Sequence, residues 1–376
     1  MSADARVPEV TIKLAETAEE REQAFGLRYE TYVTDFPALS AVADHAAQRL
    51  TDAHDEHSEL LNAYAAGELV GTMRLTFGAD GWLSDEFLDA YGMDAFFQVV
   101  PAEAMLVVTR LMVNKAHRGT TTTAALIVEA ARIAMRRRVE LVFCDCHPHL
   151  INLYGRLGFR PYRHTYNDPT GGLVVPLVMI LSDGDYLRRV SSPLLGTALD
   201  PDMPTPEVAR LAAGVLPRKP PVRSLDRVKA YAWPSEIAAE HMGQALQVFE
   251  NLDEPQLADI LAHSHIIDVA PDSYLIRQGQ VARTMYVLLG GELQYWAGAR
   301  HLANAQIGEV AGDVAFFLRT SRTIDVIAGP GGARVLSLNE PALRSVMESH
   351  SQAAAILLLN LCQMLAARIA ARTEEP

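Results

Sequence analysis

The chain has 376 residues, of which 49% are hydrophobic and 21% are charged, a balance typical of a globular protein with more than one core. Its formal net charge of −13 argues against nucleic acid as a partner, because phosphate backbones are bound by clustered Lys and Arg. The basic run at residues 136–138 is interpreted as the solvated end of a helix.

Cysteine usage and apolar stretches predict a cytoplasmic protein without metal. The N-terminus lacks the apolar segment of a secretory signal. The longest apolar stretch, residues 353–371, is interrupted by polar residues and predicts an amphipathic helix rather than a transmembrane segment. No zinc or redox spacing joins the three cysteines, which are Cys144, Cys146 and Cys362.

The first part of the chain, residues 1–193, alternates strand-like and helix-like runs. Apolar and polar residues alternate at residues 9–14 and predict a strand. Further strands are predicted at 59–65 and 68–77, as a hairpin around Ala66-Gly67, and at 105–113, 141–146 and 173–181. Helical periodicity predicts helices at residues 18–32, 121–138 and 148–157. This order predicts an α/β domain with a mixed sheet and flanking helices, rather than a series of equal βα units.

The rest of the chain predicts a linker and an all-β domain. Residues 194–235 are rich in proline, which interrupts regular structure, and hold one short helical piece at 206–214. In residues 236–376 a helical region leads into short strands at 274–278, 284–289, 291–296, 315–318, 323–328 and 333–338. Such spacing predicts a small jelly-roll-like barrel, closed by a helix at 341–372.

Two segments in the first domain carry acyltransferase motifs. Residues 152–159 read Asn-Leu-Tyr-Gly-Arg-Leu-Gly-Phe, and residues 118–123 read Arg-Gly-Thr-Thr-Thr-Thr where a helix begins. Free amides at a helix N-terminus bind anions, although a loop with a Thr-rich cap is the alternative. Together the segments resemble motifs B and A of the GNAT superfamily. The resemblance implies that the phosphates of the acyl donor lie against Arg118, Gly119, Thr121 and Thr123.

Tyr154 is the candidate acid of this resemblance. In the family the matching tyrosine protonates the leaving thiolate, and a phenol with a reference pKa of about 10 suits that step. A tyrosine packed in the core is the alternative. Thr121 and Thr123 stand where the family has glycine, and their Cβ atoms restrict the approach of a phosphate.

Four further segments resemble autoinducer synthases and N-acyl amino acid synthases over about residues 9–185. They are residues 27–32, 52–55, 71–75 and 109–111. Those enzymes move a fatty acyl group from acyl carrier protein to an amino acid or its derivative. The resemblance implies a polar floor beside the acyl tunnel, built by Arg28, Asp52, Asp55, Arg74 and Arg110. A set of surface ion pairs is the alternative.

The acceptor and the general base follow from the same comparison. Leu50 and Val107 stand where homoserine-lactone enzymes have Glu, so we expect transfer to an amine other than the one that leads to a lactone. Asp55 is the candidate general base. Lower-ranked alternatives are His54, His57 and His117, and the spacing of the histidines with Asp52 does not match a zinc signature.

Residues 308–326 contain Gly-Glu-Val-Ala followed by Arg322-Thr323 and resemble the phosphate-binding cassette of cyclic-nucleotide-binding domains of the catabolite activator protein type. The resemblance covers about residues 246–370. It implies that Arg322 pairs with the cyclic phosphate and that Asp313, in place of the usual Glu, accepts from the ribose hydroxyl. The implied pocket comprises Gly312, Asp313, Ala315, Arg322 and Thr323. A roll that is kept for packing and binds no ligand is the alternative.

These motifs predict a cytoplasmic N-acyltransferase of bacterial signalling. It would move an acyl group from acyl carrier protein or acyl-CoA to an amine, expected to be an amino acid, under the control of cAMP or cGMP and without a metal. The alternatives are a cAMP-regulated protein-lysine acetyltransferase and a non-catalytic sensor with an inactive GNAT-like domain. The apolar stripe of the closing helix needs a cover, for which a second subunit, and hence a homodimer, is one candidate.

Overall fold

The computed structural model describes residues 10–35, 42–118, 120–168, 172–224, 246–280 and 283–373. The chain divides into two compact units. The first comprises Met1–Asp145, Leu153–Arg160 and Pro176–Arg218, and the second comprises Cys146–Asn152, Pro161–Val175 and Lys219–Pro376. The predicted domain limits at residues 193 and 236 stay predictions, and the predicted helical region after residue 235 begins outside the described residues.

The first sheet is mixed, as predicted. Its strands are β1 (Val10–Leu14), β2 (Glu59–Ala65), β3 (Glu68–Phe77), β4 (Met105–Val113), β5 (Leu141–Cys146), β6 (Arg160–Pro161), β7 (Tyr166–Asp168) and β8 (Gly172–Ile180). They lie in the order β1-β2-β3-β4-β5-β8-β6, with β7 beside β8. Strands β1 to β4 are antiparallel neighbours, whereas β5 runs parallel to β4.

The hairpin between β2 and β3 follows from local chemistry. Ala65 pairs with Glu68 across a two-residue turn. Both turn residues, Ala66 and Gly67, have positive φ angles of 52° and 86°, as the favoured two-residue hairpin turns require. Glycine reaches this conformation without strain, so the Ala-Gly pair sets the register that carries Arg74 on β3.

The helices of this part are α1 (Ala18–Tyr29), α2 (Asp85–Tyr91), α3 (Thr122–Arg136), α4 (Ile151–Leu157), α5 (Gly184–Arg189) and α6 (Glu207–Val215). A capping box of Thr17 and Glu20 starts α1. The predicted helix at 18–32 is wrong at its end, since a π-helical turn, Glu30–Asp35, takes over. The short helices α2 and α5 were not predicted, because six or seven residues hold too few turns for a clear period.

The second sheet is antiparallel. Its strands are β9 (Val222–Ser224), β10 (His265–Val269), β11 (Tyr274–Ile276), β12 (Thr284–Ala297), β13 (Arg300–Asn304), β14 (Val310–Ala311) and β15 (Asp325–Asn339). The order is β13-β12-β15-β10-β9, with β11 beside β15 and β14 beside β12. Strand β9 comes from the predicted linker and pairs with β10. Four helices accompany this sheet in the described residues: α7 (Glu254–Leu261), α8 (Asp313–Leu318), α9 (Glu340–Ser349) and α10 (Ser351–Thr373).

Two predictions about this sheet need correction. The predicted strand at 315–318 is part of helix α8, because a short apolar run has no period that separates strand from helix. The four predicted strands between 284 and 338 merge into the long strands β12 and β15. Register shifts after Leu288 and Gly291 bend β12, so the glycines there mark bulges instead of strand ends.

The closing helix α10 belongs to the core of the β-roll. Its buried residues, among them Ala353, Leu357 and Leu361, pack in one cluster with Val287 and Leu336 of the long strands. The segment Ser351–Ala370, with a mean hydropathy of 1.8, is long and apolar enough to cross a membrane. A core helix passes the same test, and packing against the roll accounts for the apolar residues in the first half of α10, whereas Leu359 and Ile369 are exposed.

Candidate functional site

The five charged residues predicted for the acyl site form one chain of contacts. Arg28 Nη1 donates to the two carboxylate oxygens of Asp55 at 2.7 and 2.8 Å. Arg74 Nη1 donates to Asp55 Oδ1 at 3.2 Å and pairs with Asp52 Oδ1. Arg110 Nη2 donates to Asp52 Oδ2 at 2.9 Å. Arg28, Asp55 and Arg74 are at most 3% exposed, so the alternative of weak surface pairs is wrong for them.

Local structure sets the position of each charge. Asp52 caps a short 3₁₀ helix, Ala53–His57, and its backbone N–H donates to Asp55 Oδ2 at 2.9 Å. This reciprocal cap holds the two carboxylates three residues apart on one side. Arg110 has a φ of 54°, next to a register shift between β3 and β4. A bulge of this kind re-aims a side chain, here toward Asp52.

The network carries one positive charge in excess, with three guanidinium groups and two carboxylates. Burial raises the pKa of Asp52, but Arg74 and Arg110 together lower it from 3.8 to about 2. Asp52 is therefore ionised at neutral pH. Arg28 keeps two buried donors, Nε and Nη2, without a partner among the described residues. An unpaired buried donor is costly, so this end of the network favours an anionic ligand.

The alternative bases are engaged elsewhere. His54 Nε2 lies 3.0 Å from Glu86 Oε2, and its ring stacks on Phe87 at 4.2 Å between centroids. His57 stacks on Trp82 at 3.2 Å. His117 Nδ1 lies 2.8 Å from Asn114 Oδ1. Across the described ranges, no group of three or more His, Cys, Asp and Glu side chains is placed to bind a metal.

The predicted donor site lies where β4 and β5 separate. The strands pair only from Met105–Val107 to Leu141–Phe143, although β4 continues to Val113. Beyond Val113, Arg118 Nε donates back to the Val113 carbonyl at 3.1 Å. Helix α3 begins at Thr122, and the Thr121 side chain makes no cap. Thr121 is exposed and Thr123 half-buried, while Gly119 lies outside the described residues.

Tyr154 occupies the middle of α4 and is half-buried. Its ring meets the edge of Phe159 at 5.5 Å between centroids. Helix α4 ends at Gly158, whose φ of 118° is accessible to glycine alone without strain. A Cβ there would lie 2.4 Å from Leu187. The Leu-Gly-Phe part of the motif thus turns the chain at Gly158 and places Phe159 against the ring of Tyr154. This contact orients the tyrosine.

The predicted phosphate arginine of the roll is a buried cation that pairs with no acid in the described ranges. Arg322 is 4% exposed. Its Nη1 donates to the Gly312 carbonyl at 2.5 Å and its Nη2 donates to the Thr284 carbonyl. Burial lowers its pKa, and no carboxylate among the described residues pairs with it. A buried charge needs a counter-charge, so these residues fit the phosphate of a cyclic nucleotide.

Gly312 is required at this point of the cassette. Its φ is 83°, and a Cβ would lie 2.4 Å from Arg322 Nη1. The other pocket residues differ in exposure. Ala315, on the short helix α8, is buried, whereas Thr323 is exposed.

The predicted ribose acceptor already has protein partners. Asp313 is buried, and its Oδ1 accepts from the Val314 N–H at 2.9 Å. Its Oδ2 forms an ion pair with Arg368 Nη2 of α10. Sequence reasoning missed Arg368 as a site residue. The available signal was a lone arginine in an otherwise apolar stretch, which was interpreted only as an interruption.

Comparisons with known proteins agree with the two resemblances. Residues 23–181 match the family model for N-acyl amino acid synthase FeeM, and residues 266–350 match that for the cyclic nucleotide-binding domain. The first match identifies an acyltransferase domain and the second a nucleotide-binding domain, which confirms the two predicted families.

Individual relatives are distant. The mouse cyclic nucleotide-gated channel beta-3 is 25% identical over 108 residues, which cover 27% of this chain and only 15% of the channel. The acyl-homoserine lactone synthase BjaI, described as CoA-dependent, is 15% identical, with a TM-score of 0.39, over 55% of this chain and 99% of its own. A cyclic nucleotide-binding domain from Methylobacillus flagellatus is 16% identical, with a TM-score of 0.34, over 40% of this chain and 84% of its own.

Proposed function

We propose that this chain, which joins an acyltransferase domain of the N-acyl amino acid synthase type to a cyclic nucleotide-binding domain, acylates the amine of an amino acid under nucleotide control. The acyl donor is a thioester of acyl carrier protein or coenzyme A, and the reaction takes place in the cytoplasm. The observation that carries the proposal is the buried network with its excess positive charge inside the matched region 23–181.

The network supports an acceptor that bears a carboxylate. Arg28 has two buried donors without a partner in the described part of the chain, and Arg110, with 21% of its side chain exposed, lies at the accessible end of the chain of contacts. A guanidinium binds a carboxylate through two parallel hydrogen bonds. An amino acid presents that carboxylate next to its amine, so binding the one would position the other for attack on the thioester.

The reaction needs two proton movements. The amine nitrogen attacks the thioester carbonyl, loses a proton and forms the amide, while the departing thiolate gains a proton. Asp52 is a poor base, because its pKa is about 2, and the oxygens of Asp55 already accept from Arg28 and Arg74. We therefore assign them to holding the arginines, with water taking the amine proton. Tyr154 would supply the proton for the thiolate.

Replacing this acid tests its role. Tyr154→Phe is expected to lower kcat by about 100-fold, since general acid catalysis contributes at least that much, and to leave the KM for the donor nearly unchanged. Steady-state kinetics over pH 6–10 measure both constants. Tyr186→Phe is the matched control, because Tyr186 is also a half-buried tyrosine but lies outside the motif. Equal kcat values for Tyr154→Phe and wild type at every pH would assign the proton to solvent.

A product assay separates the proposed function from its alternatives. The full chain is incubated with acyl-CoA or acyl-carrier-protein donors of two to sixteen carbons and a mixture of amino acids, with and without cAMP or cGMP. Mass spectrometry is expected to find N-acyl amino acids whose yield changes with nucleotide, and Arg28→Lys should reduce it. Acetylation of protein lysines instead would identify a lysine acetyltransferase, and nucleotide binding without any transfer would identify a sensor.

A further inference from the structure

We propose that Arg368 is a latch on the nucleotide site: it holds Asp313 in the free protein and must release that carboxylate before a ribose hydroxyl can bind there. The inference rests on the proposed function, in which a cyclic nucleotide occupies the cassette. It adds a residue of the closing helix to the site and gives its effect on affinity a definite sign.

The geometry shows a buried carboxylate, 4% exposed, each of whose oxygens already has a partner. Arg368 Nη2 pairs with Asp313 Oδ2, and Asp313 Oδ1 accepts from the Val314 N–H. Arg368 Nη1 also donates to the Val310 carbonyl at 3.3 Å, on the strand that precedes the cassette helix. The guanidinium thus links both sides of the Gly312 turn to α10. Because Asp313 is buried and Arg368 occupies its Oδ2, a ribose hydroxyl that donates to this oxygen competes with the guanidinium for access to it.

The position of Arg368 along α10 allows such a release. Ala353, Leu357 and Leu361, in the first half of the helix, are buried in the core of the roll. Beyond them the helix is more exposed: the Arg368 side chain is 39% exposed and its neighbour Ile369 is 66% exposed. The first half therefore anchors the helix, and the Asp313 pair is the described ion pair that holds its second half to the cassette.

The latch and a purely electrostatic role of Arg368 predict opposite changes in nucleotide affinity when the arginine is removed. If Arg368 were only a cation near the site, its loss would weaken the binding of an anionic nucleotide. If it competes for Asp313, its loss frees the carboxylate. The apparent Kd then falls to its intrinsic value, which is the wild-type value multiplied by the fraction of molecules in which the latch was open. Because an ion pair with a half-exposed partner contributes only a modest free energy, we expect the apparent Kd to change by about 3- to 10-fold.

Calorimetric titration of the full chain with cAMP and with cGMP tests the sign. Arg368→Ala is expected to bind the preferred nucleotide about 3- to 10-fold more tightly than wild type, and Arg368→Lys to stay nearer to wild type. Arg344→Ala is the matched control, since it removes the same charge from a 60% exposed arginine that pairs with Glu340. Weaker or unchanged binding by Arg368→Ala, with Arg344→Ala at the wild-type value, would overturn the latch.

Hydrogen exchange without ligand separates the latch from the proposed function. The amides of the second half of α10 are expected to exchange faster in Arg368→Ala than in wild type or Arg344→Ala, because the pair to Asp313 is gone. Equal exchange would overturn the latch even in a protein that binds nucleotide. If no variant binds cAMP or cGMP, nucleotide control fails, and faster exchange would still support the link between Arg368 and Asp313.

Discussion

Arg322→Ala is expected to weaken the binding of a cyclic nucleotide by at least about 30-fold, because truncating one partner of a buried charge pair costs about 2–5 kcal/mol. Arg322 is 4% exposed and has no acid partner among the described residues. The phosphate would therefore be its counter-charge. Calorimetric titration of the full chain with cAMP and cGMP measures the loss.

The control for this variant must keep the fold of the roll. Arg322 also donates to the carbonyls of Gly312 and Thr284, so its removal leaves two acceptors unpaired. Arg322→Lys retains the charge and should lose less affinity than Arg322→Ala. Arg319→Ala, in the same loop, removes an exposed arginine that pairs with Glu340 and should bind as wild type. Wild-type affinity in a folded Arg322→Ala protein would remove the ligand assignment from this cassette.

Asp55→Asn is expected to destabilise the first unit by about 3–5 kcal/mol, the cost of breaking a buried ion pair from one side. Asp55 is 3% exposed, and it holds both Arg28 and Arg74. The substitution keeps the size of the side chain but removes the charge. It also places an amide NH2, which is a donor, against the donating guanidinium groups of Arg28 and Arg74. Urea unfolding of the full chain, followed by circular dichroism, measures the shift in the midpoint.

Two comparisons make that measurement specific. Asp80→Asn removes an exposed carboxylate that lies 3.8 Å from Arg137 and should change stability by less than about 1 kcal/mol. A cyclic nucleotide should raise the midpoint of the transition that contains the roll. If the chain unfolds in two steps, Asp55→Asn should lower the urea midpoint of one step, and this should be the step whose midpoint the nucleotide does not change. A loss below about 1 kcal/mol would mean that Asp55 is not the partner of both arginines.

Deleting the closing helix is a poor test of nucleotide control. A chain cut after Asn339 would lack both α9 and α10. Ala353, Leu357 and Leu361 of α10 lie in the core of the roll. Removing buried side chains of this size leaves a large cavity and exposes the core. Single substitutions in the second half of α10, such as Arg368→Ala, keep the core and change only the contact to the cassette.

The strands of the first sheet could be predicted from the sequence with correct limits in several places. Strands β2, β3, β4 and β5 have the predicted limits. That signal is local, because the strand-like runs are bounded by turns that carry their own chemistry, such as Ala66-Gly67 between β2 and β3. The two families were also recognised from short motifs, whose spacing reflects turns and helix starts.

The helix at the cassette and the pairing of the charges depended on the tertiary structure. The run at 313–318 folds as a helix after the left-handed Gly312, whereas its apolar residues alone favour a strand equally well. The resemblance named Arg28, Asp52, Asp55, Arg74 and Arg110, but not which acid meets which arginine. The bulge beside Arg110 decides that, since it turns this side chain toward Asp52.

The pair of Asp313 and Arg368 shows where sequence reasoning ends. The two residues are 55 positions apart, and no motif connects them. Each is unremarkable locally: an acid begins a short helix, and an arginine interrupts an apolar one. They meet because the core packing of Leu357 and Leu361 directs the end of α10 over the cassette. A contact between distant segments depends on how their apolar faces pack together, and local periodicity does not record that.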